Sequence, residues 1–379
     1  MLIRCRPGAR RILRWSFLVG TVWFILSFIL KHPVDFNVHT ITPSDMSQET
    51  YKTVRDLNEL EKSALLSSPV AREFCRAHGY SPFHTSPATP RRRVYDLLLL
   101  NTELDWLEIH LETLYDYVDY FVIVEATKTF TSRPKPLHLS ENWDRFEKWR
   151  SKIIYHALDY PADWDPPRPW DFEDLQRDST FVQVIPTLPV DQKPRYGDVI
   201  IVADLDEIPR PATVALLRSC VFSKRLTLRS RFYYYSFQFL HRGPEWEHPQ
   251  ATYYTSDQET IKPVNLRNGD GGVPVARELE KADLWNAAWH CSSCFNTVAE
   301  LLNKMASFSH VPLNKEKYRD PKRIADRVRT GSDLWDREGQ FYDRIDGNED
   351  VPPMLMRDPV KWRYMLDRSG ESAGFSDYP

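Results

Sequence analysis

The sequence has few cysteines and no excess of charge of either sign. Five cysteines among 379 residues are too few for a disulfide scaffold. The 50 lysines and arginines nearly balance the 53 aspartates and glutamates, for a net charge of −3. This balance argues against a nucleic-acid-binding protein, because such proteins gather a basic excess on one face. The chain also has no collagen period, heptad array or internal repeat, and no N-x-Ser/Thr sequon for an N-linked glycan.

Apolar and aromatic residues are plentiful enough to build a core. They make up 42% and 13% of the chain, which excludes wholesale disorder. The length suits one large domain or two modest ones once non-globular ends are set aside.

The amino-terminal residues have the pattern of a membrane anchor. Residues 15–30 read WSFLVGTVWFILSFIL, without a charge, and five arginines precede them. As a helix they span roughly 24 Å, which is close to the thinner bilayers of the early secretory pathway. The positive-inside rule therefore predicts a cytosolic basic tail at 1–14, a transmembrane signal anchor at 15–30 and a lumenal remainder. A cleaved signal peptide is the alternative, but ILKHPVDF at the end of the run has no small-x-small cleavage site.

A lumenal location would place four cysteines in an oxidising compartment. Cys75, Cys220, Cys291 and Cys294 allow three pairings, and the sequence does not choose among them. The Cys291-x-x-Cys294 spacing is also that of half a zinc site, but the chain has no second CxxC. We therefore expect a disulfide from this pair to Cys75 or Cys220.

Residues 31–93 have no regular hydrophobic pattern along most of their length. They contain scattered prolines, the turn-rich stretch SPFHTSPATPRRR and one helical pattern near 48–66. This composition predicts a lumenal stem. The alternative for FCRAHGY, around Cys75, is a flap that packs on the domain that follows.

From residue 94 onward, predicted strands alternate with predicted helices. The apolar runs VYDLLLLN, DYFVIVEA, KIIYHAL and GDVIIVA suit buried strands. The segments ELDWLEIHLETLYDYV, DFEDLQRDSTFVQVI, PATVALLRSC and FNTVAELLNKM suit helices. This order predicts an α/β domain over 94–370 with a mostly parallel central sheet. The aromatic segment RFYYYSFQF starts a second half that we expect to be more antiparallel.

The acidic tetrapeptide Asp204-Leu205-Asp206-Glu207 directly follows an apolar strand. Ligands of open α/β sheets bind beyond the carboxyl ends of strands. Three carboxylates so close together repel one another unless a cation lies among them, and an oxygen-only set suits Mg²⁺ or Mn²⁺. Alternation places Asp204 and Asp206 on one side of an extended segment. The alternative is an exposed acidic turn before a proline.

A second carboxylate, Glu125, also ends an apolar strand, YFVIVE. An acid at such a position often accepts ribose hydroxyls in nucleotide-binding α/β folds. The alternative is a surface acid that starts a loop. Together, the two acidic strand ends favour a nucleotide site between them.

Several motifs, in order, resemble glycosyltransferase family 17. They are the segment from NTELDWLEIHLETLYDYV through VIVEATKTFTSRPKPLHLSENWDRF, the block DVIIVADLDEIPRP, LWNAAWHCSSCF and KMASFSH. The resemblance covers about Cys75 to Leu366. Ala288 is a departure, because it stands where the family pattern has a glycine, and we expect that position to be a tight turn.

The resemblance implies an inverting enzyme of GT-A-like fold. It implies transfer of GlcNAc from UDP-GlcNAc to the core β-mannose of a glycoprotein N-glycan, in β-1,4 (bisecting) linkage. It also implies a divalent metal, usually Mn²⁺, and a single-pass type II protein of the Golgi membrane.

Inverting transfer needs a cation on the leaving diphosphate, a base for the acceptor hydroxyl and a pocket that orients both. The predicted catalytic residues are Asp204, Asp206 and Glu207. The predicted metal ligands are Asp204, Asp206, His290 and His310. The predicted nucleotide-sugar contacts are Glu125, Asp204, Arg177 and Trp289, with Arg267 and Lys304 as further diphosphate partners. Glu278, Glu280 and Asp283 remain alternatives for the base.

Three other functions compete with this interpretation. A phosphohydrolase fits DLDEI superficially, but that loop would belong on the first strand of the domain. A catalytically inactive, membrane-anchored carbohydrate-binding protein would tend to lose the Asp204/Asp206 pair. A transferase of the same fold with another donor or acceptor is the third, because loops set acceptor choice.

Overall fold

Apolar runs form the strands of a central sheet in the part of the chain described by the computed structural model, residues 68–84 and 91–379. The strands are β1 Val94–Leu100, β2 Tyr120–Glu125, β3 Ile153–Ala157, β4 Val199–Asp204, β5 Glu207–Pro209, β6 Arg225–Tyr234, β7 Ser236–His241, β8 Gln250–Tyr253, β9 Lys281–Ser292 and β10 Tyr342–Arg344.

The same described residues also form α-helices, before, between and after the strands. They are α1 Ser68–Ala77, α2 Leu104–Leu114, α3 His138–Glu141, α4 Trp143–Phe146, α5 Pro169–Val182, α6 Pro211–Ser219, α7 Pro263–Arg267, α8 Pro274–Leu279, α9 Val298–Ser307, α10 Pro321–Thr330, α11 Pro353–Arg357 and α12 Arg363–Leu366. Short 3₁₀ turns cover Glu147–Lys152, Ile185–Thr187, Val311–Leu313 and Glu316–Tyr318.

The sheet is parallel in its first half and mixed in its second. Strands β3, β2, β1 and β4 lie side by side and all run the same way. Strand β8 then pairs antiparallel with β4 and β6, while β6 also pairs antiparallel with β7 and parallel with β9. The prediction of a mostly parallel sheet therefore holds only for the first half. The reason is connection length: helical crossovers join β1 to β4, whereas a single residue, Tyr235, separates β6 from β7.

Both faces of the parallel half are covered. All seven residues of β1 are buried, as parallel strands with helices on both sides require. Leu98 on one face belongs to a core cluster with Leu107 of α2, and Leu97 on the other face joins Phe181 of α5. The four strands and four helices predicted for the domain are all present, with ends within a few residues of those expected.

Helix α10 was not predicted, although its ends are well marked. The Asp320 side chain accepts a hydrogen bond from the Lys322 amide, Pro321 occupies the first turn, and Gly331 ends the helix in the left-handed conformation at φ 67°. These are ordinary start and stop signals.

The segment around Cys75 packs against the domain. A disulfide joins Cys75, next to the end of α1, to Cys220, directly after α6. Phe74 and Cys75 are buried in a small cluster with Ala215 and Leu216 of α6. This arrangement is the one that the flap alternative describes. At the other end of the domain, Phe375 is also buried, so packed structure continues past residue 370.

The expected disulfide between the CxxC pair and Cys75 or Cys220 is wrong. Cys291 and Cys294 are joined to each other. Strand β9 ends at Ser292 and the backbone of Ser293 has φ 59°, so the chain reverses and brings the two Cα atoms to 5.9 Å.

The predicted anchor cannot be compared with this fold. Among the described residues, no helix is both long enough and apolar enough to span a membrane. The predicted tail, the anchor and residues 31–67 lie outside those residues.

Replacing Cys75 and Cys220 by serine should lower the free energy of unfolding by about 2–5 kcal/mol, since the disulfide closes a long loop, with a sequence separation of 145. The Cys291→Ser/Cys294→Ser double variant is the matched control, because its separation is 3 and its loop entropy is small. Chemical unfolding under non-reducing conditions measures both. Equal losses in the two variants would contradict the loop-closure account.

Candidate active site

The carboxyl ends of β1 and β4 meet at one edge of the sheet, where Leu99 pairs with Asp204. After Asp204 the chain turns through Leu205 and Asp206 and enters β5, whose Glu207 pairs with His290 of β9. These turns surround a cavity of about 530 Å³. Its charged and histidine lining comprises Glu103, Glu173, Asp204, Asp206, Glu207, His248, Arg267, His290, Lys304, His310 and Arg337.

Two arginines hold the Asp204 carboxylate. Arg177 Nη1 donates to Asp204 Oδ1 at 2.7 Å, and Arg267 Nη2 donates to Oδ2 at 2.6 Å. Arg177 lies on α5 and also donates to Glu173, one helical turn earlier. Both oxygens of Asp204 therefore face guanidinium groups.

Glu207 fixes the turn from within. Its side chain is only 1% exposed and accepts hydrogen bonds from both terminal nitrogens of Arg267, at 2.8 and 2.9 Å. It also accepts from Trp246 Nε1 at 2.8 Å and from the backbone amide of Asp204 at 3.1 Å. A carboxylate with so many donors is a structural element of the turn.

Asp206 is held more loosely. Lys304 Nζ lies 3.3 Å from its Oδ2, and His290 Nδ1 lies 3.7 Å from its Oδ1. His290 Nδ1 is also 3.2 Å from the backbone oxygen of Asp206. The His290 ring packs against those of Phe232 and Trp246, with centroids 5.0 and 5.2 Å away and an interplanar angle of 19° in both contacts. The histidine is thus fixed while the Asp206 carboxylate keeps room for another ligand.

Burial and neighbouring charges shift the pKa values of several side chains in and around the cavity. Burial alone would raise the pKa of Asp204, but Arg177 and Arg267 outweigh it and hold that pKa below its ordinary value. The same balance places the pKa of Glu207 well below its usual range, because of Arg267. Burial and the nearby Arg267 lower the pKa of His248 to about 4, so its imidazole is neutral near pH 7.

Glu103 is a cavity residue that the sequence analysis did not single out. It lies directly before α2, three residues after β1 ends, and its Oε2 accepts from the Thr102 amide at 2.8 Å. Burial raises its pKa, although Lys304 acts in the opposite direction. The signal was an acid just beyond a buried strand, as with Asp204, but its position at the start of ELDWLEIHL reads as helix surface.

Of the predicted site residues, the structure brings Asp204, Asp206, Glu207, His290 and His310 to the cavity. The His310 ring lies 5.0 Å from that of Trp170, another lining residue. Arg267 and Lys304 line the cavity too, and Arg177 reaches it through Asp204.

Glu125 and Trp289 do not line the cavity. Glu125 is fully buried and receives Lys135 Nζ at 3.3 Å, the Leu139 amide at 3.2 Å and the Tyr155 hydroxyl at 3.3 Å. Trp289 donates to Asp350 at 2.9 Å, with Arg210 over its ring.

The base candidates Glu278, Glu280 and Asp283 lie outside the cavity as well. They pair with Lys281, Arg225 and Arg229 respectively. The expectation of a tight turn at Ala288 is wrong. Ala288 lies within β9, where it is fully buried and paired with Pro209 and Ser230 on the flanking strands.

A divalent cation is implied by the resemblance, and the side chains differ in how well they suit one. In residues 68–84 and 91–379, no three His, Cys, Asp or Glu side chains are clustered as a ready metal site. Asp204 has an arginine at each oxygen, whereas Asp206 faces one lysine at 3.3 Å. Asp206 is therefore the carboxylate that would suit a cation, and water and ligand oxygens would have to supply the other contacts.

A charged cavity at the carboxyl edge of a parallel sheet marks an α/β protein with a ligand site at that edge. The chain matches glycosyltransferase family 17 over residues 49–366 and belongs to that family.

Three proteins named β-1,4-mannosyl-glycoprotein 4-β-N-acetylglucosaminyltransferase are similar to this chain. Identity is 27% over 312 residues for the one from Rattus norvegicus, 26% over 312 for Homo sapiens and 27% over 305 for Mus musculus. Each match covers 74% of this chain and 56% of the relative, so the chain spans little more than half the length of these curated relatives.

Removing Arg267 should destabilise the protein strongly. In Arg267→Met, the buried Glu207 loses its arginine partner and Asp204 keeps only Arg177, and we expect a loss of about 3–5 kcal/mol in the free energy of unfolding. Arg242→Met is the matched control, since Arg242 pairs with Asp343 in solvent, and it should leave stability unchanged within error. Denaturant unfolding distinguishes them, and similar stability of both variants would show that Arg267 is not the anchor of the turn.

Proposed function

We propose that this chain is an inverting, metal-dependent glycosyltransferase that moves GlcNAc from UDP-GlcNAc to a β-linked mannose of N-glycans, in the bisecting β-1,4 linkage. The observation that carries the proposal is the placement of Asp206 opposite Lys304 in a cavity at the carboxyl edge of the parallel strands. Family membership and the names of the relatives support it.

The basic residues of the cavity suit a diphosphate. Lys304 and Arg267 both line it. Burial alone would lower the pKa of Lys304, but the charges of Asp206 and Glu103 outweigh it and raise that pKa above its ordinary value, so the amine is charged. A divalent cation, which we propose to be Mn²⁺ held by Asp206, would supply Lewis acidity toward the leaving diphosphate. Arg267 would remain on Asp204 and Glu207, and Lys304 would face the added negative charge.

The aromatic residues suit sugar rings. Phe232 and Trp246 line the cavity beside His290, and it is also lined by Tyr234, Trp335, Phe130, Trp170 and Phe308. Sugar-sized ligands bind in clefts that combine such apolar surfaces with a few polar groups. Trp170 is 42% exposed and Trp246 37%, so both offer ring surface to a donor or acceptor sugar.

Glu103 is the best placed group to accept the proton of the acceptor hydroxyl. The other cavity carboxylates each have a lysine or arginine within hydrogen-bond distance. Glu103 has a backbone hydrogen bond instead, and burial raises its pKa, which makes it the more basic carboxylate. In the transfer step its oxygen would take that proton while the acceptor oxygen bonds to C1 and UDP leaves.

We also propose that the enzyme is a single-pass type II protein of the Golgi membrane with its catalytic domain in the lumen. The arginine-flanked apolar run at 15–30 supports the anchor. The disulfides Cys75–Cys220 and Cys291–Cys294 support an oxidising compartment.

The donor is tested with the full chain purified in detergent and a panel of UDP- and GDP-sugars, with an N-glycan acceptor and either Mn²⁺ or EDTA. We expect use of UDP-GlcNAc that EDTA abolishes and that Asp206→Asn lowers at least 100-fold, because the cation loses its carboxylate. Asp343→Asn, in an exposed ion pair, is the control.

The other results of that assay separate the alternatives. Use of a different nucleotide sugar would indicate a transferase of the same family with another donor. Failure to use or bind any donor, with glycan binding retained, would favour a carbohydrate-binding protein. Full activity in EDTA would overturn the metal dependence.

Glu103→Gln should lower kcat by about 10²–10⁴-fold and leave the affinity for UDP unchanged, since it removes the base but not a donor contact. In the unsubstituted enzyme, kcat/KM should fall as pH decreases through the raised pKa of Glu103, and this acidic limb should be absent from the residual activity of the variant. Glu278→Gln, outside the cavity, is the matched control. An unchanged kcat in Glu103→Gln would exclude Glu103 as the base.

A further inference from the structure

A buried aspartate–histidine pair lies beneath the turn that joins Asp204 to Asp206. Asp96 is in the middle of β1 and His110 is on α2, and both side chains are 0% exposed. Asp96 Oδ2 is 2.8 Å from His110 Nε2, and His110 Nδ1 is 3.0 Å from the backbone oxygen of Leu205. The pair thus connects the first strand and helix of the domain to the acidic turn.

The partners fix the protonation of the ring. A backbone carbonyl only accepts hydrogen bonds, so His110 Nδ1 carries a proton and donates it to Leu205. The second proton of the pair lies between Nε2 and Asp96 Oδ2. Asp96 Oδ1 is buried without a hydrogen-bond partner among the described residues. The Asp96 side chain is therefore held in the core by its contact with His110.

Packing alone does not explain such a pair. Burying polar groups is costly, and apolar side chains of similar volume often replace a buried ion pair without loss of stability. The position of the pair offers a reason, because His110 contacts a backbone group of the turn that the Glu207 and His290 contacts do not hold. The Asp204 amide donates to Glu207, and the Asp206 oxygen accepts from the Cys291 amide and His290. The Leu205 carbonyl lies between these two contacts, and His110 holds it.

We propose that Asp96 and His110 are positioning residues that fix the Leu205 peptide, so that Asp204 and Asp206 are presented to the cavity in the geometry that donor binding requires. His110 touches no ligand, because it is fully buried. It acts by setting the plane of the peptide between the two acidic residues. The expected effect on donor binding and transfer rests on the proposed function. The expected effect on the backbone of the turn does not.

Two substitutions of His110 separate the two hydrogen bonds. In His110→Asn the amide nitrogen can take the place of Nδ1 and donate to Leu205. In His110→Gln it takes the place of Nε2, so it reaches Asp96 and loses Leu205. Both variants remove the ring and keep one polar contact, and their melting temperatures should fall by similar amounts. We expect transfer with UDP-GlcNAc to fall at least 10-fold in His110→Gln and less than threefold in His110→Asn.

Two further measurements on the full chain do not depend on turnover. The affinity for UDP in the presence of Mn²⁺, measured by calorimetry, should weaken in His110→Gln and be retained in His110→Asn. Amide hydrogen exchange of the peptide covering residues 203–209 should accelerate in His110→Gln only, because the turn loses a fixed carbonyl.

The double variant Asp96→Leu/His110→Phe covers the case in which a single variant does not fold. It replaces the pair by apolar side chains, so it should fold with near-unchanged stability and still show fast exchange over 203–209 and weak UDP binding. Slow exchange at the turn in both the double variant and His110→Gln would overturn the proposal. So would equal exchange in His110→Asn and His110→Gln. An unsubstituted enzyme that neither binds UDP nor transfers sugar would overturn the proposed function, while the exchange results would still decide the role of the pair.

Discussion

Carboxylates within four residues of one another repel, and Arg267 is the group that allows Asp204-Leu205-Asp206-Glu207 to form one tight turn. Its guanidinium bonds to Asp204 and to both oxygens of the buried Glu207. Helices before and after the turn supply its basic partners. Helix α7 brings Arg267, α5 brings Arg177 and α9 brings Lys304, each from a different part of the chain. The covering helices therefore do more than shield apolar strands, because they neutralise the edge at which those strands end.

The three acids of the turn have different roles. Glu207 is the most buried and has the most donors, so it maintains the turn. Asp204 is fixed by two arginines, and Asp206, opposite Lys304, has the most freedom to accept a ligand. Such a division lets a rigid turn present one carboxylate that is not enclosed by arginines, as preorganised sites require.

The sequence predicted the elements that local pattern determines and missed those set by distant contacts. Strand β4 and the acidic turn are adjacent in the chain, so Asp204 and Asp206 could be placed at the sheet edge from spacing alone. Arg267 meets Asp204 across 63 residues, and no periodicity indicates which of 50 basic residues will do so. The disulfide of Cys291 was mispredicted for a different reason, since its partner is local but the pairing depends on the backbone reversal at Ser293. The mixed second half of the sheet likewise follows from pairings that are not local.

Strand parity explains why His290 lies in the cavity and its neighbour Trp289 does not. Successive side chains of a strand point to opposite faces, so His290 and Ser292 line the cavity while Trp289 and Cys291 join the core. The paired strand β6 follows the same rule. Phe232 lies beside His290 and Tyr234 beside Ser292, and both line the cavity, whereas Tyr233 between them is in the core. One face of two parallel strands thus forms an aromatic wall with a histidine at its centre. An aromatic motif read as a run of letters cannot reveal this wall, because only alternate members belong to it.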